Sequence, residues 1–139
     1  LLKDFLKKEN PLTVKATMLH KIILALGSND DNAPHLLDEA ITMMRDILSV
    51  EKATPQLRSH AINHGNRMFT NVMIEATTPL DFQCLRNVIK QTEQRIGRVH
   101  DGNEVVKIDI DILQYDDTKH HVEDWERPYI QTLLYELNT

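Results

Sequence analysis

A chain of 139 residues has room for one domain with one core and too little for two, and its 41% apolar and 27% charged residues set it apart from disordered chains. A net charge of −5 argues against general affinity for nucleic acid or anionic membranes, while a local basic patch could still hold one phosphorylated ligand. No apolar run reaches the ~18 residues of a membrane-spanning helix, and the lone Cys84 excludes an intramolecular disulfide.

The opening stretch to Lys21 has lysines at 3, 7, 8 and 15 but no apolar segment followed by small residues, so no signal peptide is expected and the protein reads as cytoplasmic. Residues 1–17 read as an N-terminal extension or expression remnant, Met18 as a candidate start, and 18–139 as one domain. Lys21 to Leu26 is a strand closed by the turn-rich Gly27-Ser28-Asn29-Asp30-Asp31-Asn32. From Pro34, Leu36, Leu37, Ala40, Ile41, Met44, Ile47 and Leu48 recur at helical intervals and predict an amphipathic helix to Leu48.

Ser49 to Thr54 reads as a strand ending at Pro55, and Gln56 to Asn66 as a polar loop without core positions. Over Arg67 to Ala76, Met68, Val72, Ile74 and Ala76 share one parity; Phe69, Asn71, Met73 and Glu75 share the other, so Phe69 and Asn71 point together from a polar face. Thr78-Pro79-Leu80-Asp81 predicts a helix with Thr78 as N-cap and Pro79 first, running to a Gly97 cap. Cys84 falls on its apolar stripe and reads as inert packing.

Val105 to Tyr115 predicts a strand with Val106, Ile108, Ile110 and Ile112 on one face and Lys107, Asp109 and Asp111 on the other; the tail ends in a short helix over Tyr129 to Leu137. The order β-α-β-β-α-β plus a C-terminal addition predicts an α+β, ferredoxin-like fold, two helices on one face of an antiparallel sheet and the other face free for ligand.

On a strand, Asp109 and Asp111 share one face with Cβ atoms about 6–7 Å apart. This suits a solvated strand face or Mg²⁺ held by carboxylates with substrate phosphates completing its shell, and spacing does not separate the two. Arg98, just past Gly97, could reach phosphate or compensate the helix C-terminus. His121 and Arg127, ahead of Tyr129, could form a phosphate- and base-binding edge or a plain surface loop. The seven histidines make no zinc pattern, and no Walker A loop, G-x-G-x-x-G or G-x-S-x-G motif occurs.

Several stretches together resemble the 6-hydroxymethyl-7,8-dihydropterin diphosphokinase family. They are Ile23-Leu24-Ala25-Leu26-Gly27-Ser28-Asn29, Ala53-Thr54-Pro55, Phe69-Thr70-Asn71, Glu93 with Gly97-Arg98, and Asp109-Ile110-Asp111-Ile112-Leu113, in that order over about Lys21 to Leu137. The resemblance implies a ferredoxin-like fold and Mg²⁺-dependent transfer of the β,γ-diphosphate of ATP to the pterin hydroxymethyl oxygen. It implies that Asp109 and Asp111 hold two Mg²⁺ ions and, with Arg98, form the catalytic set. Thr54, Phe69, Asn71 and Tyr129 would bind the pterin, and His121 and Arg127 the nucleotide, with Lys107, one position off the family's arginine, restoring part of the charge there.

The chain departs from that family between Arg98 and Asp109, where the basic loop is shortened to Val99–Lys107 without its Trp and second arginine, and the P-H-P signature is absent from the tail. Three readings follow: a divergent diphosphokinase acting as a monomer on pterin and ATP; a non-catalytic pterin- or nucleotide-binding homologue; and a ferredoxin-like RNA-binding module. Acidic charge and the lack of an aromatic RNP pattern weigh against the last.

Overall fold

The computed structural model describes residues 18–60, 67–97 and 105–139. The elements are β1 His20–Ser28, α1 Ala33–Arg45, β2 Ser49–Ala53, β3 Leu57–His60, β4 Met68–Thr78, α2 Phe82–Ile96, β5 Asp109–Tyr115, the short β6 Thr118–Lys119, a 3₁₀ turn Val122–Asp124, and α3 Pro128–Leu137. Every strand pairing is antiparallel, in the order β2-β4-β1-β5-β6, with β3 beside β2 on the same edge of β4. Counting β2 and β3 as one bent strand gives the ferredoxin-like βαββαβ arrangement, to which β6 and α3 are the C-terminal addition.

The central β1 explains its own sequence. Paired on both edges and covered on both faces, it can be apolar at successive positions: Ile22, Leu24 and Leu26 join the helix-side core, while Ile23 and Ala25 join the opposite cluster. Leu37, Ala40 and Met44 of α1 and Leu85 and Ile89 of α2 close the first face. Cys84 packs against that cluster, and its Asp81 neighbour, then burial, pushes the thiol up.

The second face is not free along its length, contrary to expectation. Ile130, Leu133 and Leu137 of α3 pack on Met73 and Leu113, each such burial stabilising by about 1.5–3 kcal/mol. Leu113 continues the alternation of Asp109 and Asp111 onto this cluster, and a bulge there in the β1–β5 register returns Tyr115 to the helix side. Among the described residues, the end of this face around Gly27 stays open.

Four other expectations shift. Within Gln56 to Asn66, Leu57–His60 is a strand rather than loop, a half-buried edge that packs through Leu57 and whose sequence carries no apolar alternation; 61–66 lie outside the described residues. Helix α1 stops at Arg45, and Leu48, though buried, follows it. Strand β5 begins at Asp109, not Val105, since 105–108 have no strand partner. The α2 N-cap is Asp81, whose carboxylate accepts the Cys84 N–H at 2.8 Å; Thr78 is committed to β4, opposite His20, and accepts the Leu80 N–H instead. Gly97 does cap α2, at φ 103°. No helix among the described residues is long and apolar enough to cross a membrane.

Candidate active site

The register builds the site in two rows. Gly27 of β1 lies between Asn71 of β4 and Asp109 of β5; one step in, Ala25 lies between Met73 and Asp111. Asp109 and Asp111 thus share the α3 face with Asn71, as the sequence predicts, and Phe69 and Tyr129 join them around a slot of about 60 Å³. Gly27 is required here by close approach: a Cβ would meet Asn71 Oδ1 at 3.2 Å and Phe69 Cδ2 at 3.3 Å. The Asn71 amide is pre-set, its Nδ2 donating to Leu57 O at 3.0 Å and Ser59 Oγ at 2.7 Å. The polar edge strand β3 therefore orients the residue expected to read a ligand.

Two polar clamps hold the acidic strand. The Asn29 N–H donates to Val106 O at 3.0 Å, the Asn29 side-chain oxygen accepts the Val106 N–H, and Ser28 Oγ donates to Val106 O. The Gly-Ser-Asn turn thereby carries the β1–β5 contact past the end of β1 to the residues just before β5. On the outer edge, beyond the reach of β6, buried Glu93 accepts the Ile110 N–H at 2.8 Å, a charge-assisted bond between the two carboxylates in sequence. Asp111's carboxyl is pushed up to about 7, first by burial, then by Asp109, with Glu93 contributing. An acid this reluctant to ionise beside another acid is suited to a cation.

The other sequence-nominated residues are dispersed. His121, in the left-handed region at φ 51°, brings Nε2 to 3.9 Å from Asp111 Oδ1. Lys107 reaches Asp30 at 3.4 Å, and Arg127 pairs with Asp124 at 2.8 Å. Burial, then Asp124, pushes the Tyr129 phenol up. Thr54 is buried at the bend between β2 and β3, where its N–H donates to Met73 O at 2.9 Å and its hydroxyl accepts the Met73 N–H at 3.0 Å. It continues the ladder where Pro55 has no N–H to offer. Arg98 lies outside the described residues.

A second, larger cleft of about 480 Å³ opens on the other side of the carboxylates, between α2 and β5. Its lining includes Phe82, Arg86, Lys90 and His120, none singled out from the sequence for a site. Arg86 and Lys90 are four apart on a helix, a spacing that puts both on one face and is visible in the sequence once the helix is known. The stacking of Phe82 on His120 at 4.6 Å joins residues 38 apart and has no local signal.

The described residues form a ferredoxin-like α+β domain with an acidic site at one end of its sheet, where paired carboxylates line both a small slot and a larger cleft. Sequence comparison specifies it further: a family model for 7,8-dihydro-6-hydroxymethylpterin-pyrophosphokinase (HPPK) matches residues 23–139, and the chain belongs to that family. It is also similar to a folate synthesis bifunctional protein of Arabidopsis thaliana, 28% identical over 137 residues, covering 90% of this chain and 28% of that protein. The chain therefore spans less than a third of the length of this relative.

Proposed function

We propose that this chain, over residues 18–139, transfers the β,γ-diphosphate of ATP to 6-hydroxymethyl-7,8-dihydropterin in folate biosynthesis and releases AMP. One observation carries the reading: Asp109 and Asp111 line both the slot beside Asn71 and the cleft beside α2. Ligands in the two would meet across one carboxylate pair.

Paired carboxylates supply the oxygen donors that Mg²⁺ takes, and Asp109 and Asp111 would hold it. Once bound, the ion would offset part of the triphosphate charge and of the charge developing on the leaving phosphate. Phe69 and Tyr129 would flank the pterin ring, with Asn71 reading its edge. The pterin hydroxyl oxygen attacks the β-phosphorus, the bond from that phosphorus to the oxygen bridging it to the α-phosphate breaks, and AMP leaves with the electron pair. The hydroxyl proton passes to solvent. Arg98, Lys107, His121 and Arg127 would contact phosphate or nucleotide; the exposed pair Lys107–Asp30 is weak enough to be exchanged for a phosphate contact.

At about 60 Å³ the slot is well below the ~300 Å³ of small ligand pockets, so entry of a bicyclic ring requires Phe69 and Tyr129 to part. A cytoplasmic, monomeric state belongs to the same reading, and cell fractionation and sedimentation velocity test it.

The deciding experiment is AMP formation from ATP with Mg²⁺, with and without the pterin, in wild type and Asp109→Ala. Pterin-dependent AMP that disappears in a folded Asp109→Ala protein is the expected result. Undiminished turnover in that variant would sink the mechanism. Pterin binding without any AMP in wild type would instead favour the non-catalytic homologue, the reading to which the shortened, arginine-poor loop points.

A further inference from the structure

The segment that leads into the acidic strand is poor in cations. Between Gly97 and Asp109 the sequence offers only Arg98 and Lys107 beside His100, and Lys107 is turned to Asp30. Arg127 is likewise turned to Asp124 and Arg67 to Asp31. A triphosphate laid along the α2–β5 cleft would carry about four negative charges toward Asp109, Asp111 and Glu93, a repulsion that a divalent ion offsets only in part.

The opposite wall of that cleft holds the missing charge. Arg86 and Lys90 project from one face of α2 into the cleft whose floor is Asp109 to Ile112. Both are exposed, and among the described residues neither is in an ion pair. Their position along the helix is ordered. Glu93, one turn beyond Lys90, holds the Ile110 N–H at the carboxylate end, and Phe82, one turn before Arg86, stacks on His120 at 4.6 Å at the far end. The cleft therefore runs from carboxylates, past two free cations, to a pair of stacked rings.

We propose that Arg86 and Lys90 are further phosphate-binding residues of this chain, a cationic wall on α2 facing a nucleoside polyphosphate whose base lies toward Phe82 and His120. The inference rests on the nucleotide reading above and goes beyond it by adding phosphate contacts from a helix to those of the loop and tail. A helix face is a rigid support, and loss of such a contact raises the dissociation constant according to how many phosphates it meets.

The test is equilibrium titration of the full chain with ATP, ADP and AMP in the presence of Mg²⁺, at low and high salt. It compares wild type with Arg86→Ala, Lys90→Ala, the double variant, Lys90→Arg, and Arg95→Ala, an exposed α2 cation not on the cleft lining. Each single Ala variant is expected to weaken ATP binding about tenfold, as for one charge-assisted hydrogen bond, and AMP binding less than about threefold. The double variant should lose most of the salt dependence, while Lys90→Arg and Arg95→Ala stay near wild type. ATP binding unchanged in the double variant, or ATP and AMP weakened equally, overturns the cationic wall while leaving the nucleotide reading in place. No ATP binding by wild type overturns both.

Discussion

Gly27→Ala tests whether the slot beside Asn71 is set by backbone approach. The added Cβ would lie 3.2 Å from Asn71 Oδ1 and 3.3 Å from Phe69 Cδ2, a few tenths of an ångström inside the ordinary contact of about 3.5–4.0 Å. Asn71 cannot retreat without breaking its bonds to Leu57 O and Ser59 Oγ, at 3.0 and 2.7 Å, so Phe69 must give. For the fold, alanine recovers about 0.5–1 kcal/mol of glycine's backbone entropy, and overpacking costs about 1–3 kcal/mol. The net is a destabilisation of about 0–2.5 kcal/mol, up to roughly 10 °C in melting temperature. The ligand meets a new methyl on the slot floor and a displaced ring, so affinity for the pterin should fall at least about tenfold, or about 1.4 kcal/mol. ATP affinity should be unchanged. Fluorescence titration with each ligand and thermal melting measure all three quantities. Wild-type pterin affinity in a variant with a lowered melting temperature would show that the strain is absorbed elsewhere and that Gly27 does not shape the slot.

Asp111 makes a pH-dependent prediction. With its carboxyl raised from 3.8 to about 7, the folded state keeps a proton that the unfolded chain has released, so stability should fall as pH rises through that window. Asp111→Asn should remove this decline, melt higher than wild type above the window, and abolish the stabilisation that Mg²⁺ confers there; melting curves across pH with and without Mg²⁺ check it, and an unchanged profile in the variant refutes it. Thr54→Val leaves the Met73 N–H without its side-chain acceptor and should cost about 1–3 kcal/mol in chemical denaturation, with pterin affinity intact. Weakened pterin binding at wild-type stability would instead assign Thr54 to the ligand.

Much of the fold was legible because its elements announce themselves locally. The Leu36–Met44 and Leu85–Ile96 stripes, the Ile-Asp alternation after Lys107 and the glycine at 97 each carry their own period or cap, and together they dictate β-α-β-β-α-β. The same alternation put Asp109 and Asp111 on one side of a strand, and the parity of Phe69 and Asn71 put them on one side of another.

What those local patterns could not contain was which strands become neighbours. Register alone sets Gly27 between Asn71 and Asp109, turns the polar stretch Leu57–His60 into the edge that orients Asn71, and makes Asn29 a clamp on Val106. Burial of α3 on Met73 and Leu113, a long-range contact, decided how much of the second sheet face stays open. The cleft that gathers Arg86, Lys90 and the Phe82–His120 stack exists only after α2 has docked along β5. Sequence period reports the forces within an element; the meeting of side chains from different elements depends on packing, which no single stretch of the chain encodes.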